Sequence, residues 1–139
     1  MKFSVSSITD LDAVCAAILP LAKQYSVFGF YGNLGAGKTT LARQLCKHLG
    51  IQHPVTSPTY AIVHEYELNN KPVYHIDLYR IKSAEEAIEA GILEYLDSGN
   101  ICLVEWPDNF ENLLPDNHVK IFMRKLENEN RTIEIIPNA

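Results

Sequence analysis

This 139-residue chain lacks a basic excess: 12 Lys and Arg stand against 17 Asp and Glu, a formal charge of −5. Proteins that hold nucleic acid by themselves normally show a basic excess or stripe, because neutralising phosphates supplies most of that affinity. Any dealing with nucleic acid is therefore expected to pass through a partner. Cysteines are few, and Cys15, Cys46 and Cys102 lie far apart among apolar residues, with no Cys-x-x-Cys pair. That pattern argues against a disulfide framework and for buried free thiols in a reducing compartment. No apolar run approaches the length of a membrane span, and "MKFSVSSITDLDA" lacks the charged-then-apolar pattern of a secretion signal. A cytoplasmic location away from membranes is the expectation. Repeats, low-complexity tracts and linker-like stretches are missing too, so residues 1–139 are expected to form one domain.

What is present alternates between strands and helices. "KFSVS" (Lys2–Ser6) reads as a short strand. Thr9 or Asp10 is placed to cap a helix carrying Leu11, Val14, Cys15, Ile18, Leu19 and Leu21 largely on one face, which Pro20 should kink or shorten. "YSVFGFYG" (Tyr25–Gly32) is nearly all apolar, as expected of a strand buried on both faces. A helix follows from about Gly37 to His48 and stops at Gly50. "AIVHEYEL" and "PVYHIDLY" read as a hairpin around "NNK", with His64 and His75 facing each other across it. "SAEEAIEAG" is a capped helix, "NICLVEW" a buried strand, and the tail two strands joined by "ENEN". The expected fold is α/β: a mixed, mainly parallel central sheet flanked by helices, with added hairpins.

Gly32 to Thr39 match G-x-x-x-x-G-K-[ST], a loop that cradles phosphates. Chance alone would place such a match in roughly 1 of 200 chains of this length. Here it also lies between a buried strand and a helix, where its mechanism requires it. Backbone N–H groups must turn inward around an anion, which needs glycine at the tight positions and uses the positive end of the following helix. Asn33, Leu34, Gly35, Ala36, Gly37, Lys38, Thr39 and Thr40 are the candidate phosphate-binding residues. Lys38 reaches for the terminal phosphates, and the Thr39 hydroxyl is a candidate Mg²⁺ ligand.

Two acidic residues end apolar strands. In an open α/β sheet, strand ends of this kind face the ligand. Glu105 closes "ICLVEW" and is read either as a metal-binding carboxylate or as a strand-end charge in solvent. Asp77 in "VYHIDLYR" has several accounts: a general base, a group that orients water, a contact to Mg²⁺ through water, or an ion pair with Arg80. "TSPTY" follows Lys38 at about the distance where nucleotide hydrolases place a switch-loop hydroxyl, although Ser-Pro-Thr is also a plain turn.

"GNLGAGKTTL", "TSPTYAIVHEY", "VYHIDLYR", "ICLVEWP" and "LLP" (Leu113–Pro115), in that order, resemble the TsaE (YjeE) family of small P-loop ATPases. The resemblance covers nearly the whole chain from Tyr25 onward. It implies an ATP- and Mg²⁺-dependent ATPase needed to make N6-threonylcarbamoyladenosine at position 37 of tRNAs that read codons beginning with A. It further implies work with the TsaD–TsaB complex, which would carry the tRNA. Thr39 and Glu105 are then the implied Mg²⁺ ligands. Lys38, Asp77 and Glu105 are the implied catalytic residues, with Trp106 and Ser57, Pro58 and Thr59 near the nucleotide or a partner.

Rival readings are weaker on the residues. A guanine-specific Asn-Lys-x-Asp is absent, since Asn70-Lys71 is followed by Pro72 and Val73. Small-molecule kinases often close an Arg-rich lid over the phosphates, and this chain has four arginines, Arg43, Arg80, Arg124 and Arg131, with little length left for a lid. A nucleotide-gated adaptor whose output is partner binding overlaps the ATPase reading.

Overall fold

Val27–Tyr31 is apolar apart from Gly29 and forms strand β2, buried at every position. A strand that is apolar throughout belongs at the centre of a sheet covered on both faces. The computed structural model, which describes residues 1–52 and 62–137, places it there. The other strands are β1 (Lys2–Val5), β3 (Val63–Leu68), β4 (Lys71–Asp77), β5 (Ile101–Glu105), β6 (Val119–Lys125) and β7 (Arg131–Pro137). They form a seven-stranded sheet in the order β1-β7-β6-β2-β5-β4-β3. The middle pairings β6–β2, β2–β5 and β5–β4 are parallel. The margins β1–β7, β7–β6 and β4–β3 are antiparallel. The expected mixed sheet is therefore observed, its parallel part confined to the four strands that carry the site.

Helix α1 (Leu11–Ile18) and helix α2 (Lys38–Leu49) cover one face with Val14, Cys15, Ile18, Leu41, Leu45 and Cys46 packed against Phe28, Phe30 and Ile121. Burial pushes the Cys15 thiol up to about 11 and the Cys46 thiol up to about 12, so both stay protonated near neutrality. Helices α3 (Ala84–Glu89) and α4 (Ile92–Leu96) cover the other face with Ala87, Ile92 and Leu96 over Val27, Ile76 and Val104. No helix among the described residues is long and apolar enough to cross a membrane.

Local chemistry explains where the elements end. Gly50, at φ 103°, closes α2 in a left-handed conformation, and the Ile51 N–H turns back to the Cys46 carbonyl. Asn69 and Asn70, at φ 53° and 65°, make the tight β3–β4 turn that "NNK" implies. Pro20 does shorten the first helix, because residues Leu19–Lys23 continue as a tighter 3₁₀ turn. Asp10 does not cap α1 as a forward N-cap; its carboxylate accepts from the Ser6 and Ser7 N–H groups behind it, at 2.8 and 3.2 Å. The sequence reading also misses α4. Gly91 ends α3, yet its φ of 81° lets the chain turn and start again at Ile92.

Candidate functional site

The C-terminal ends of β2, β5 and β4 lie side by side, with Phe30 opposite Glu105 and Glu105 opposite Asp77. Where β2 ends, Gly32–Gly37 loop over into the N-terminus of α2. Gly32 cannot be replaced without moving the chain, since a Cβ there would sit 2.5 Å from the Met123 carbonyl oxygen. Gly37 takes a φ of 101° immediately before Lys38, a conformation that side-chain-bearing residues rarely hold. These two positions give the physical reason for the glycine spacing.

Lys38 is 5% exposed although charged. Its ammonium donates to the Gly32 carbonyl and sits 3.1 Å from the centre of the Trp106 ring. Desolvation pulls its pKa below the usual lysine range, against the opposing pull of Glu105, Asp108 and Asp77. A cation held on an aromatic face and a carbonyl, in a cleft short of water, is ready to exchange those partners for an anion. Trp106 reaches this place at a cost. Its φ of 59° is unusual for a bulky residue and costs on the order of 1–3 kcal/mol. Its ring also packs against Tyr79, tilted by 46° with the centroids 4.8 Å apart.

Beneath the loop, Glu105 is held by two neighbours. The Thr39 hydroxyl donates to one carboxylate oxygen at 2.7 Å, and His75 Nε2 lies 2.5 Å from the other. Glu105 and His75 are 3% and 0% exposed. The solvent-facing reading of Glu105 is thereby overturned: β5 is buried to its last residue, and the carboxylate turns inward. His75 does stand opposite His64 in the hairpin register, but its ring is committed to Glu105, while His64 Nδ1 lies 3.3 Å from the Tyr66 hydroxyl.

Asp77 sits one strand further out, its carboxylate accepting from the Tyr79 N–H at 2.9 Å. Burial raises its pKa and the Glu105 charge adds to the rise, while the Tyr79 N–H, His75 and Lys38 pull it back. A carboxyl group moved toward neutrality beside a cation is suited to exchanging a proton or fixing a water.

Lys38, Thr39, Thr40, Asp77, Glu105 and Trp106 line one cleft of ≈ 360 Å³. Of the loop candidates, Leu34, Gly35 and Gly37 also line it, whereas Asn33 and Ala36 line a broader groove on the other side of the loop. Leu34 is 78% exposed. Ser57, Pro58 and Thr59 lie outside the described residues. The cleft has two oxygen donors within hydrogen-bond distance at the start of α2, Thr39 Oγ1 and Glu105 Oε1, which is the hard-ligand chemistry that suits Mg²⁺.

Two contributors escape the sequence reading as site residues. His75 is found only through the register that sets β4 beside β5. Arg131, at the start of β7, reaches across to the loop and donates to the Ala36 carbonyl at 2.9 Å and the Gly35 carbonyl at 3.3 Å. No local motif marks it.

A family model described as "Threonylcarbamoyl adenosine biosynthesis protein TsaE" matches residues 5–133. Three curated relatives carry the name tRNA threonylcarbamoyladenosine biosynthesis protein TsaE. The one from Haemophilus influenzae is 41% identical over 105 residues, which are 76% of this chain and 66% of that protein. The one from Bacillus subtilis is 33% identical over 133 residues, 96% of this chain and 83% of that protein. The one from Rickettsia felis is 38% identical over 109 residues, 78% of this chain and 63% of that protein. The matched stretches thus span a little under two thirds of the Haemophilus and Rickettsia proteins. The crystal structure of Bacillus subtilis YdiB superposes on the whole of this chain and 86% of that one, with a TM-score of 0.77 at 28% identity.

Proposed function

This chain belongs to the TsaE family, and on that premise we propose that it binds and hydrolyses ATP in the service of tRNA threonylcarbamoyladenosine synthesis. The observation that carries the proposal is the meeting of Thr39 and Glu105 at 2.7 Å beneath a loop whose lysine is already desolvated. In this reading the triphosphate lies along the loop, receiving the N–H groups of Gly35 and of Gly37 to Thr40 and the positive end of α2, while the Ala36 N–H stays on the Asn33 carbonyl. Lys38 leaves the Gly32 carbonyl and the Trp106 ring to neutralise the outer phosphates. The cleft shares Gly37, Thr40 and Arg131 with a second hollow of ≈ 340 Å³, whose other walls are Val5, Ser6, Ser7, Ile8, Leu11 and Met123. Its apolar walls suit the adenine base.

Thr39 and Glu105 would hold Mg²⁺, which when bound neutralises charge on the transferring phosphoryl group. His75 keeps the Glu105 carboxylate turned toward Thr39 by occupying its other oxygen. Asp77 is the group placed to accept a proton from the attacking water or to hold that water in line. Tyr79 and Trp106, in contact with each other, form part of the cleft wall.

The partner in this proposal is the TsaD–TsaB complex, with tRNA held there and not by this acidic chain. ATP turnover would reset or sustain that complex. The test measures phosphate release from ATP by the chain alone and with TsaD–TsaB. Strong stimulation is the expected result. Phosphate transfer to a small acceptor would favour the kinase reading, and absence of any heat on mixing with ATP and Mg²⁺ in calorimetry would remove the nucleotide from the proposal.

A further inference from the structure

A planar trans peptide points its C=O and its N–H in opposite directions, so pinning a carbonyl aims the amide that follows it. In the phosphate loop two successive carbonyls are pinned by one side chain. Arg131 Nε donates to Ala36 O at 2.9 Å and Nη2 donates to Gly35 O at 3.3 Å. The Ala36 contact directs the Gly37 N–H away from the guanidinium, to the opposite side of the loop. The Gly35 contact likewise directs the Ala36 N–H, which donates to Asn33 O at 3.0 Å and closes the turn.

The guanidinium is itself anchored. Nη1 donates at 3.3 Å to the carbonyl of Glu129, which sits in the β6–β7 turn at φ 68°. The same hairpin closes in on the loop's glycines: a Cβ on Gly32 would collide with Met123 O, and one on Gly37 would lie 3.3 Å from Arg131 Nε. The loop therefore has a third support besides the strand and the helix that flank it. Arg131 also borders both hollows, together with Gly37 and Thr40.

We propose that Arg131 is a positioning residue of the phosphate loop: it holds the Gly35–Gly37 peptides in the orientation that receives a polyphosphate chain. Through Glu129 it ties that orientation to the β6–β7 turn. The proposal rests on the loop binding phosphates as argued above. Three of the five guanidinium N–H donors serve carbonyls from two segments, a fork that a lysine ammonium cannot reproduce with the same geometry.

The experiment compares the full chain with Arg131→Lys and Arg131→Met by calorimetry against ATP and against inorganic tripolyphosphate, both with Mg²⁺. Thermal melting and amide hydrogen exchange are followed alongside. Arg131→Met is expected to weaken both ligands at least ~10-fold, the loss typical of removing a charge-assisted hydrogen bond, and to speed exchange at the Ala36 amide, which donates to Asn33 O. Its melting temperature should stay within a few degrees of the parent. Arg131→Lys should resemble Met more than the parent. Unchanged affinity in Arg131→Met overturns the proposal, and so does full affinity in Arg131→Lys, since charge alone would then suffice. Affinity lost together with a uniform rise in exchange also overturns it, because the role would be general stability. If the parent binds neither ligand, the nucleotide reading fails, while exchange at Ala36 still decides whether Arg131 sets the loop.

Discussion

Charged side chains gather in two places on this protein, and water separates their meanings. At the start of α2 and the tip of β5, Lys38 and Glu105 are 5% and 3% exposed. On the outer face of β1, β7 and β6, Lys2 pairs with Glu134 at 3.9 Å with side chains 82% and 41% exposed. Nearby, Lys125 pairs with Glu129 at 2.9 Å with 43% and 76% exposed. Counted by formal charge the two groups look alike. At 4 Å a unit pair is worth about 1 kcal/mol in water but about 4 kcal/mol at an effective dielectric of 20. The buried group can therefore act strongly on a ligand, whereas the outer group is dissolved in its own solvent shell. Charge density does not mark a site; desolvated charge beside a cleft does.

The sharpest way to break this contrast is Lys38→Ala. It should cut ATP hydrolysis by at least ~10²-fold and weaken triphosphate binding, because no other side chain of the loop supplies that charge. Steady-state turnover and calorimetry check it, and unchanged turnover would equate Lys38 with the outer lysines. Glu105→Gln comes next: a neutral amide is a poorer ligand for a hard dication, so the Mg²⁺ concentration for half-maximal turnover should rise about 10-fold. A superimposable Mg²⁺ titration would take Glu105 out of the metal's reach. Asp77→Asn should slow turnover about 10-fold or more and leave the dissociation constant for ATP nearly unchanged, the split expected of a group that handles a proton or a water. A loss confined to binding would count against it.

The smallest effect belongs outside the cleft. The Tyr31 hydroxyl and Lys120 hold Glu111 below its ordinary carboxylate value of 4.5. A depressed acid lends stability that is whole above its unfolded value and disappears as pH falls through its folded value. Glu111→Gln should therefore cost ~0.5 kcal/mol at pH 7, given its exposure to solvent, and that cost should begin to shrink as pH falls below 4.5 and vanish below the lowered folded value. Chemical denaturation at several pH values and salt concentrations measures it, and a cost that grows toward acid would reverse the assignment.

Much of the cleft could be read from the residues because its information is local. The spacing Gly32…Gly37-Lys38-Thr39 is covalent, and a polar residue that ends an apolar strand, as Asp77 and Glu105 do, announces the strand end that faces a cleft. His75 was harder. Its alternation puts it on a face, but only the parallel register of β4 on β5 brings it to Glu105. Arg131 was out of range altogether, since 95 residues separate it from Ala36 and the contact exists only because the last hairpin is laid beside β2. The restart of α4 after Gly91 shows the same limit on a smaller scale: glycine permits both an ending and a turn, and the packing of Ile92 and Leu96 decides.

Trp106 is the chain's one tryptophan, and the ammonium of Lys38 rests on its ring. An indole's emission responds to a charge held against its face, so this protein carries an intrinsic optical gauge wired to Lys38. Anything that draws the ammonium away from the ring should register as a change in colour or intensity, without a label and in real time.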